Sequence, residues 1–226
     1  MRLLPHILLA LGGASVLTAQ APAPPLSAFM MTRDAEVALA KSAAPDGISA
    51  RASIKLLTKT GYQVAHEGDN GFVCLVLRGW SAPTYTPASF RQIIYDPKIR
   101  APICYNPAAA RSVLPLQELR ASLGMSGKAP DQIAEGVQSA YAKGEIPRVD
   151  GMALAYMFSA DQYLGPGIAA WHPHIMLFTP YANNATLGDN AFAGTLPFVS
   201  DDAGTPFAVT VIPVAHDLAV KAGGGP

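Results

Sequence analysis

The chain predicts an α+β fold: a single domain with a largely antiparallel sheet of about six strands and about three helices packed on it. Three observations lead there. Strand-like runs fall into two groups of three, with two helical stretches between them and a third ahead of them. Consecutive strands are joined by turns or loops rather than by helices, which argues against a parallel βαβ sheet. The run Phe72-Val73-Cys74-Leu75-Val76-Leu77 is apolar on both of its faces, as a central strand covered on both sides would be.

The elements follow in chain order. Arg2 supplies a minimal positive n-region, and an apolar run from Leu3 to Leu17 is softened by Pro5, Gly12 and Gly13. Thr18-Ala19-Gln20-Ala21 follows, so residues 1–21 have the layout of a secretory signal peptide. Ala19-Gln20-Ala21 fits the A-x-A cleavage pattern, but Pro22 after that cut makes cleavage after Ala19 its rival. The apolar run is about 15 residues, short of the roughly 20 that span a bilayer, and no Cys lies nearby to carry a lipid. Cleaved export is therefore expected, with a secreted or periplasmic product and no transmembrane segment left after cleavage. Residues 22–31 are Pro/Ala-rich and predict a disordered leader, 32–220 the folded domain, and 221–226 a flexible tail.

Thr32 is placed to cap a helix running to about residue 43, with Asp34 and Glu36 in its first turn complementing the helix dipole. Its buried face would be Ala35, Leu39 and Ala43. Residues 52–58 read as a strand with Ile54 and Leu56 on one face. Residues 61–67 and 72–78 read as a hairpin around Asn70-Gly71, the pair a type I′ turn favours. Residues 80–102 read as a loop, with prolines at 83, 87, 97 and 102. Asn106-Pro107 is a strong helix start, carrying the chain to about Leu123 with Gly124 after it and Pro115 kinking or splitting it. A further helix from about Pro130 to Gly144 buries Ile133, Val137, Ala140 and Tyr141. Strands at 152–158, 172–179 and 207–214 complete the sheet, the last two separated by a polar loop over 181–202.

Composition excludes some partners. The chain is 50% hydrophobic and 14% charged, with no net charge, and one unit negative once Arg2 is removed. It has no basic stripe, so nucleic acid is not an expected partner.

Cys74 and Cys104 are the only cysteines. In an oxidising compartment the simplest reading is one disulfide between them, tying the Pro-rich loop back to the sheet. The suggestive cluster is Trp171-His172-Pro173-His174. On a strand His172 and His174 share a face. The plain reading is local hydrogen bonding at a strand start, with Trp171 packing over the sheet end. Two functional readings stand beside it. One is a ligand-binding pocket formed by Trp171, His172 and His174. The other is a divalent-metal site on His172 and His174, for which His66, His216, Asp217 and Asp189 are the candidate further ligands, since a zinc centre needs at least three.

Catalytic signatures are missing. There is no G-x-S-x-G elbow, no P-loop, no dinucleotide fingerprint and no H-E-x-x-H helix. The H-x-H of the 172–174 strand resembles that of cupins, but Phe178 and Thr179 stand where a Glu would be needed. Asp201-Asp202 reads as a solvated turn, and Asn184-Ala185-Thr186 as a glycosylation sequon of consequence only in a eukaryotic host. No motif requires a cofactor.

Four stretches carry a resemblance: Ser42-Ala43-Ala44-Pro45, Gly68-Asp69-Asn70-Gly71-Phe72-Val73-Cys74-Leu75, Pro102-Ile103-Cys104-Tyr105 and His172-Pro173-His174-Ile175-Met176-Leu177-Phe178. Through them the chain resembles a family of secreted bacterial proteins to which no activity is assigned. The resemblance implies bacterial export and places both Cys segments on one template; it implies no reaction. The expected function is a ligand- or partner-binding module, with the 181–202 loop and the His172/His174 strand start as its functional edge. The alternative is a metal-dependent hydrolase or oxidoreductase using His172 and His174.

Overall fold

The computed structural model describes residues 23–81, 94–165, 173–188, 196–200 and 202–223. The expected signal peptide and its cleavage sites lie outside them, as do Trp171, His172, Asp189 and Asp201.

The described residues form one sheet of eight strands with five α-helices, an α+β architecture. The strands are β1 (Ser53–Thr58), β2 (Gly61–His66), β3 (Val73–Leu77), β4 (Ala101–Tyr105), β5 (Leu154–Met157), β6 (His174–Phe178), β7 (Phe198–Val199) and β8 (Val209–Pro213). The helices are α1 (Arg33–Lys41), α2 (Asp46–Ser49), α3 (Pro107–Ser112), α4 (Leu114–Met125) and α5 (Pro130–Ala142). The sheet order is β2-β1-β3-β4-β5-β6-β8-β7, antiparallel at every junction except the parallel β1–β3 pair.

Two strands were not expected. β4 lies in the Pro-rich stretch read as loop, and β7 in the polar loop. Proline argues against a central strand because it cannot donate to the ladder. β5, however, pairs with β4 only at Cys104 and Tyr105, so Pro102 stands outside that ladder and interrupts nothing on that side. β4 is buried along its whole length.

The expected hairpin is also corrected. β2 pairs with β1 across the two-residue Lys59-Thr60 loop, and β3 enters on the other side of β1. A type I′ turn needs positive φ at both Asn70 and Gly71. Gly71 has φ 74°, but Asn70 does not adopt that region. The Asn70 side chain is engaged instead, its Oδ1 accepting from Phe72 N and its Nδ2 donating to Ile48 O.

The helices start where expected and shift at their ends, and Thr32 stands at the N-cap of α1 without a side-chain capping bond. Asn106 caps α3 by accepting from Ala109 N at 2.9 Å. The stretch splits at Val113, so Pro115 falls in the first turn of α4, where a missing N–H costs nothing. α4 runs past Gly124 to Met125, and Gly127, with φ 73°, is the residue that turns the chain. Gly127 N bonds Gly124 O and Lys128 N bonds Leu123 O, a Schellman closure. Gly124 serves packing: a Cβ there would lie 2.6 Å from the Trp80 side chain.

The expected disordered leader contains a single 3-10 turn, Leu26–Phe29, whose Phe29 is buried with its ring 4.5 Å from that of Trp80. In α1 the expected buried Ala35 is exposed. Glu36 turns inward instead of serving only the helix dipole. Its carboxylate accepts from Leu57 N at 3.1 Å and from Arg78 Nη2 at 2.8 Å. Arg78 also donates to Phe29 O and Val76 O, and Tyr62 Oη donates to Val76 O. The β1–β3 ladder is limited to two residue pairs, Ser53–Val73 and Ile54–Cys74. Beyond them the Glu36–Arg78 pair and Tyr62 bond backbone groups that the ladder leaves open.

The two faces of the sheet have separate cores. On one, Ile54, Leu56, Cys74, Val76 and Cys104 meet Leu39 of α1 and alanines 40, 43 and 44. On the other, Leu75, Leu77, Ile103, Tyr105 and Met157 meet α3, α4 and Ile133 of α5. Cys74 and Cys104 are directly opposed in the β3–β4 ladder and form a disulfide. It therefore staples two strands within the sheet rather than a loop to the sheet. Among the described residues no helix is long and apolar enough to cross a membrane.

Candidate functional site

Strand alternation sends every second residue of β4, β6 and β8 to the α4/α5 side. The residues so placed include Ile103 and Tyr105, His174, Met176 and Phe178, and Val209 and Val211. Across the ladders Tyr105 faces Ala155, Ala155 faces Met176, and Met176 faces Val211. The helices do not close fully onto this floor. Between them lies a cavity of about 330 Å³, walled chiefly by these apolar side chains.

Its polar wall comes from α4 and two loops. α4 buries Leu116, Gln117, Arg120, Ala121 and Gly124, one continuous helical face. Gln117 and Arg120, three residues apart on that face, line the cavity. Arg120 Nη1 donates to Ser81 O at 3.3 Å, and its Nη2 is 4.0 Å from Asp202 Oδ2. Tyr105 is fully buried, and among the described residues its hydroxyl has no hydrogen-bond partner. Gln117 Oε1 and Ser81 Oγ are likewise buried without partners. Burial pushes the Tyr105 phenol well above the ordinary tyrosine range, and the nearby Arg120 guanidinium offsets part of that rise. At neutral pH the phenol is thus an uncharged donor and acceptor.

Unpaired buried polar atoms are uncommon, and each costs about 1–3 kcal/mol in desolvation. Three of them on the wall of one apolar cavity give it the make-up of a small-molecule site: mostly hydrophobic lining, with a few polar groups to fix orientation.

The sequence-predicted residues distribute unevenly about this cavity. His174 opens β6, is buried, and lines the cavity. Trp171 and His172 fall outside the described residues, so the pairing of the two histidines does too. His66 is exposed at the end of the edge strand β2. Four strands separate β2 from β6. At about 4.8 Å per strand step His66 stands about 24 Å from His174. His216 and Asp217 are exposed in the short 3-10 turn after β8. Among the described residues no group of three or more His, Cys, Asp or Glu side chains is placed to hold a metal.

Asp202, expected in a solvated turn, is instead buried against Arg120 on the cavity wall. Tyr105, Gln117 and Arg120 were not singled out from sequence. For the last two a signal existed: both sit at helical spacing on the stripe that carries Leu116 and Ala121. The sequon residue Asn184 is engaged with β7, its Oδ1 accepting from Val199 N at 2.8 Å and its Nδ2 donating to Val199 O at 3.4 Å.

No family model matches this chain, and neither does a curated protein or a solved structure.

Proposed function

We propose that this protein is an exported binding module that holds a small, largely apolar molecule in the cavity between its sheet and helices α4 and α5. The observation that carries the reading is the conjunction of about 330 Å³ of apolar-walled space with three buried polar side-chain atoms on its wall, Tyr105 Oη, Gln117 Oε1 and Ser81 Oγ, that have no partner among the described residues. A cavity left purely by poor packing would have no reason to retain desolvated hydroxyl and amide groups at its edge. His174 belongs to the site as a lining residue, and the 181–202 loop contributes through Phe198, Val199, Ser200 and Asp202.

Export to the periplasm or the exterior is part of the proposal. The disulfide and the absence, among the described residues, of a membrane-crossing helix are compatible with it. N-terminal sequencing of the protein recovered from its host tests this: a start after residue 19 or 21 is expected, and an intact Met1 overturns it.

Ligand binding is tested by thermal unfolding with 4-butylphenol, a probe with a short apolar chain and one hydroxyl. A ligand that binds the native state raises Tm by mass action. The expected result is a saturable rise that disappears in Val211→Trp, where an indole fills the cavity. A Tm unmoved at the solubility limit of the probe overturns the reading.

A further inference from the structure

We infer that the natural occupant of this cavity is electrically neutral, has about ten to twelve non-hydrogen atoms, and carries one hydroxyl- or amide-type group that bonds Tyr105 and Gln117. The inference rests on the cavity reading and specifies its ligand. Size comes first. About 330 Å³ is the room of about eleven waters at about 30 Å³ each, which suits a medium-chain or single-ring amphiphile.

Charge comes second. Two guanidinium groups line the cavity, and each already has a carboxylate. Arg78 is paired with Glu36 at 2.8 Å, and Arg120 lies 4.0 Å from Asp202. All four side chains are nearly fully buried. Among the described residues each guanidinium at this wall thus faces a carboxylate before any ligand enters, with His174 the imidazole beside them. An ionised ligand would add an uncompensated charge to a buried, apolar space, which is strongly unfavourable.

Hydrogen bonding comes third. The Tyr105 hydroxyl can donate and accept, and Gln117 Oε1 accepts. A hydroxyl or primary amide answers both, since it has a donor and an acceptor on one small group. A hydrocarbon answers neither. An ether or ketone can take the Tyr105 proton but leaves Gln117 Oε1 unanswered.

The test is equilibrium dialysis of the full mature protein with 4-butylphenol, 4-butyltoluene and 4-butylbenzoate at pH 7. The first two differ by a hydroxyl for a methyl, and the third presents a carboxylate. Each is measured on the wild type and on Tyr105→Phe and Gln117→Met. The expected result is that each variant shifts the phenol-to-toluene affinity ratio toward the hydrocarbon by fivefold or more, with 4-butyltoluene held as well as before. Comparing ratios between proteins removes the difference in hydration between the probes. On the wild type, 4-butylbenzoate is expected to bind at least tenfold more weakly than 4-butylphenol. A ratio unchanged in both variants overturns the hydrogen-bonding assignment, and tighter binding of the benzoate overturns the neutral one. Binding of none of the three overturns the cavity reading itself. The benzoate comparison needs no variant, so the inference stays exposed even if a substitution impairs folding.

Discussion

The two faces of this sheet are built from alternate residues of the same strands, yet they are packed differently. On the α1 side Cys74, Val76 and Cys104 pack against Leu39 and alanines 40, 43 and 44, and Glu36 bonds Arg78 and Leu57 N. On the α4/α5 side Tyr105, the very next residue after Cys104, borders empty space with its hydroxyl unpaired. The first face has its buried ion pair bonded. The other is left incomplete in a way that a ligand would complete. The difference is that Tyr105, Gln117 and Ser81, which the proposed reading gives to a ligand, have buried polar atoms unpaired among the described residues, whereas Glu36 and Arg78 are bonded to each other.

The sharpest way to break the contrast is Glu36→Ala. It leaves the Arg78 guanidinium buried without its carboxylate and removes the acceptor for Leu57 N. Breaking a buried pair costs about 3–5 kcal/mol, to be read from urea unfolding, and a loss under about 1 kcal/mol would show that water replaces the carboxylate. Replacing both cysteines by alanine comes next. The bridge spans 30 residues, so its loss is expected to cost about 3–4 kcal/mol in the chain-entropy view.

Alkaline pH probes two buried phenols of one core cluster. Burial raises the phenol pKa of Tyr62 and of Tyr105 in the folded state. The unfolded chain then loses these protons first. Stability from this source is full below about pH 10 and falls as pH rises, by about 1.4 kcal/mol per group for each unit above that. Unfolding free energies measured at pH 9, 10 and 11 check the slope, and a flat profile would place both hydroxyls in contact with solvent. Gly124→Ala should cost about 1–3 kcal/mol, because its methyl would have to displace the Trp80 ring. The smallest effect should have the opposite sign. Tyr105→Phe removes a desolvated, unpaired hydroxyl, so the ligand-free protein is expected to hold its stability or gain up to about 1 kcal/mol. A clear loss would give Tyr105 a structural role in place of a binding one.

Much of the fold was legible in the chain. Phe72-Val73-Cys74-Leu75-Val76-Leu77 announced a central strand, and β3 does lie between β1 and β4. Asn106-Pro107 announced a helix start, and the cap bond is there. The illegible parts have physical reasons. β4 hid behind Pro102, which only an incomplete ladder with β5 makes harmless. The expected hairpin is not formed because β2 turns back on β1 through Lys59-Thr60, while the Asn70 side chain bonds Phe72 N locally and Ile48 O at a distance. The cavity was nearly invisible. His174 was picked out for its pairing with His172, which lies outside the described residues, whereas its described setting is the cavity wall it shares with Met176 and Phe178. Tyr105 reads in sequence as one more core aromatic, since nothing local tells whether its hydroxyl will meet a partner. Asp202 looked solvated because its flanking glycine and alanine say nothing of Arg120, which lies 82 positions away in the chain.

Asn184 shows how the history of a chain can enter its final shape. In the folded protein both ends of its amide hold β7 at the margin of the sheet. A eukaryotic secretory pathway reads Asn-x-Thr on the nascent polypeptide, before that amide has reached Val199. A sugar attached at that moment would occupy the nitrogen and place a bulky, hydrated group where the strand must dock. The same gene product, made in a bacterium and in a eukaryotic secretory line, should therefore emerge with two different borders, one zipped by an asparagine and one propped open by a glycan.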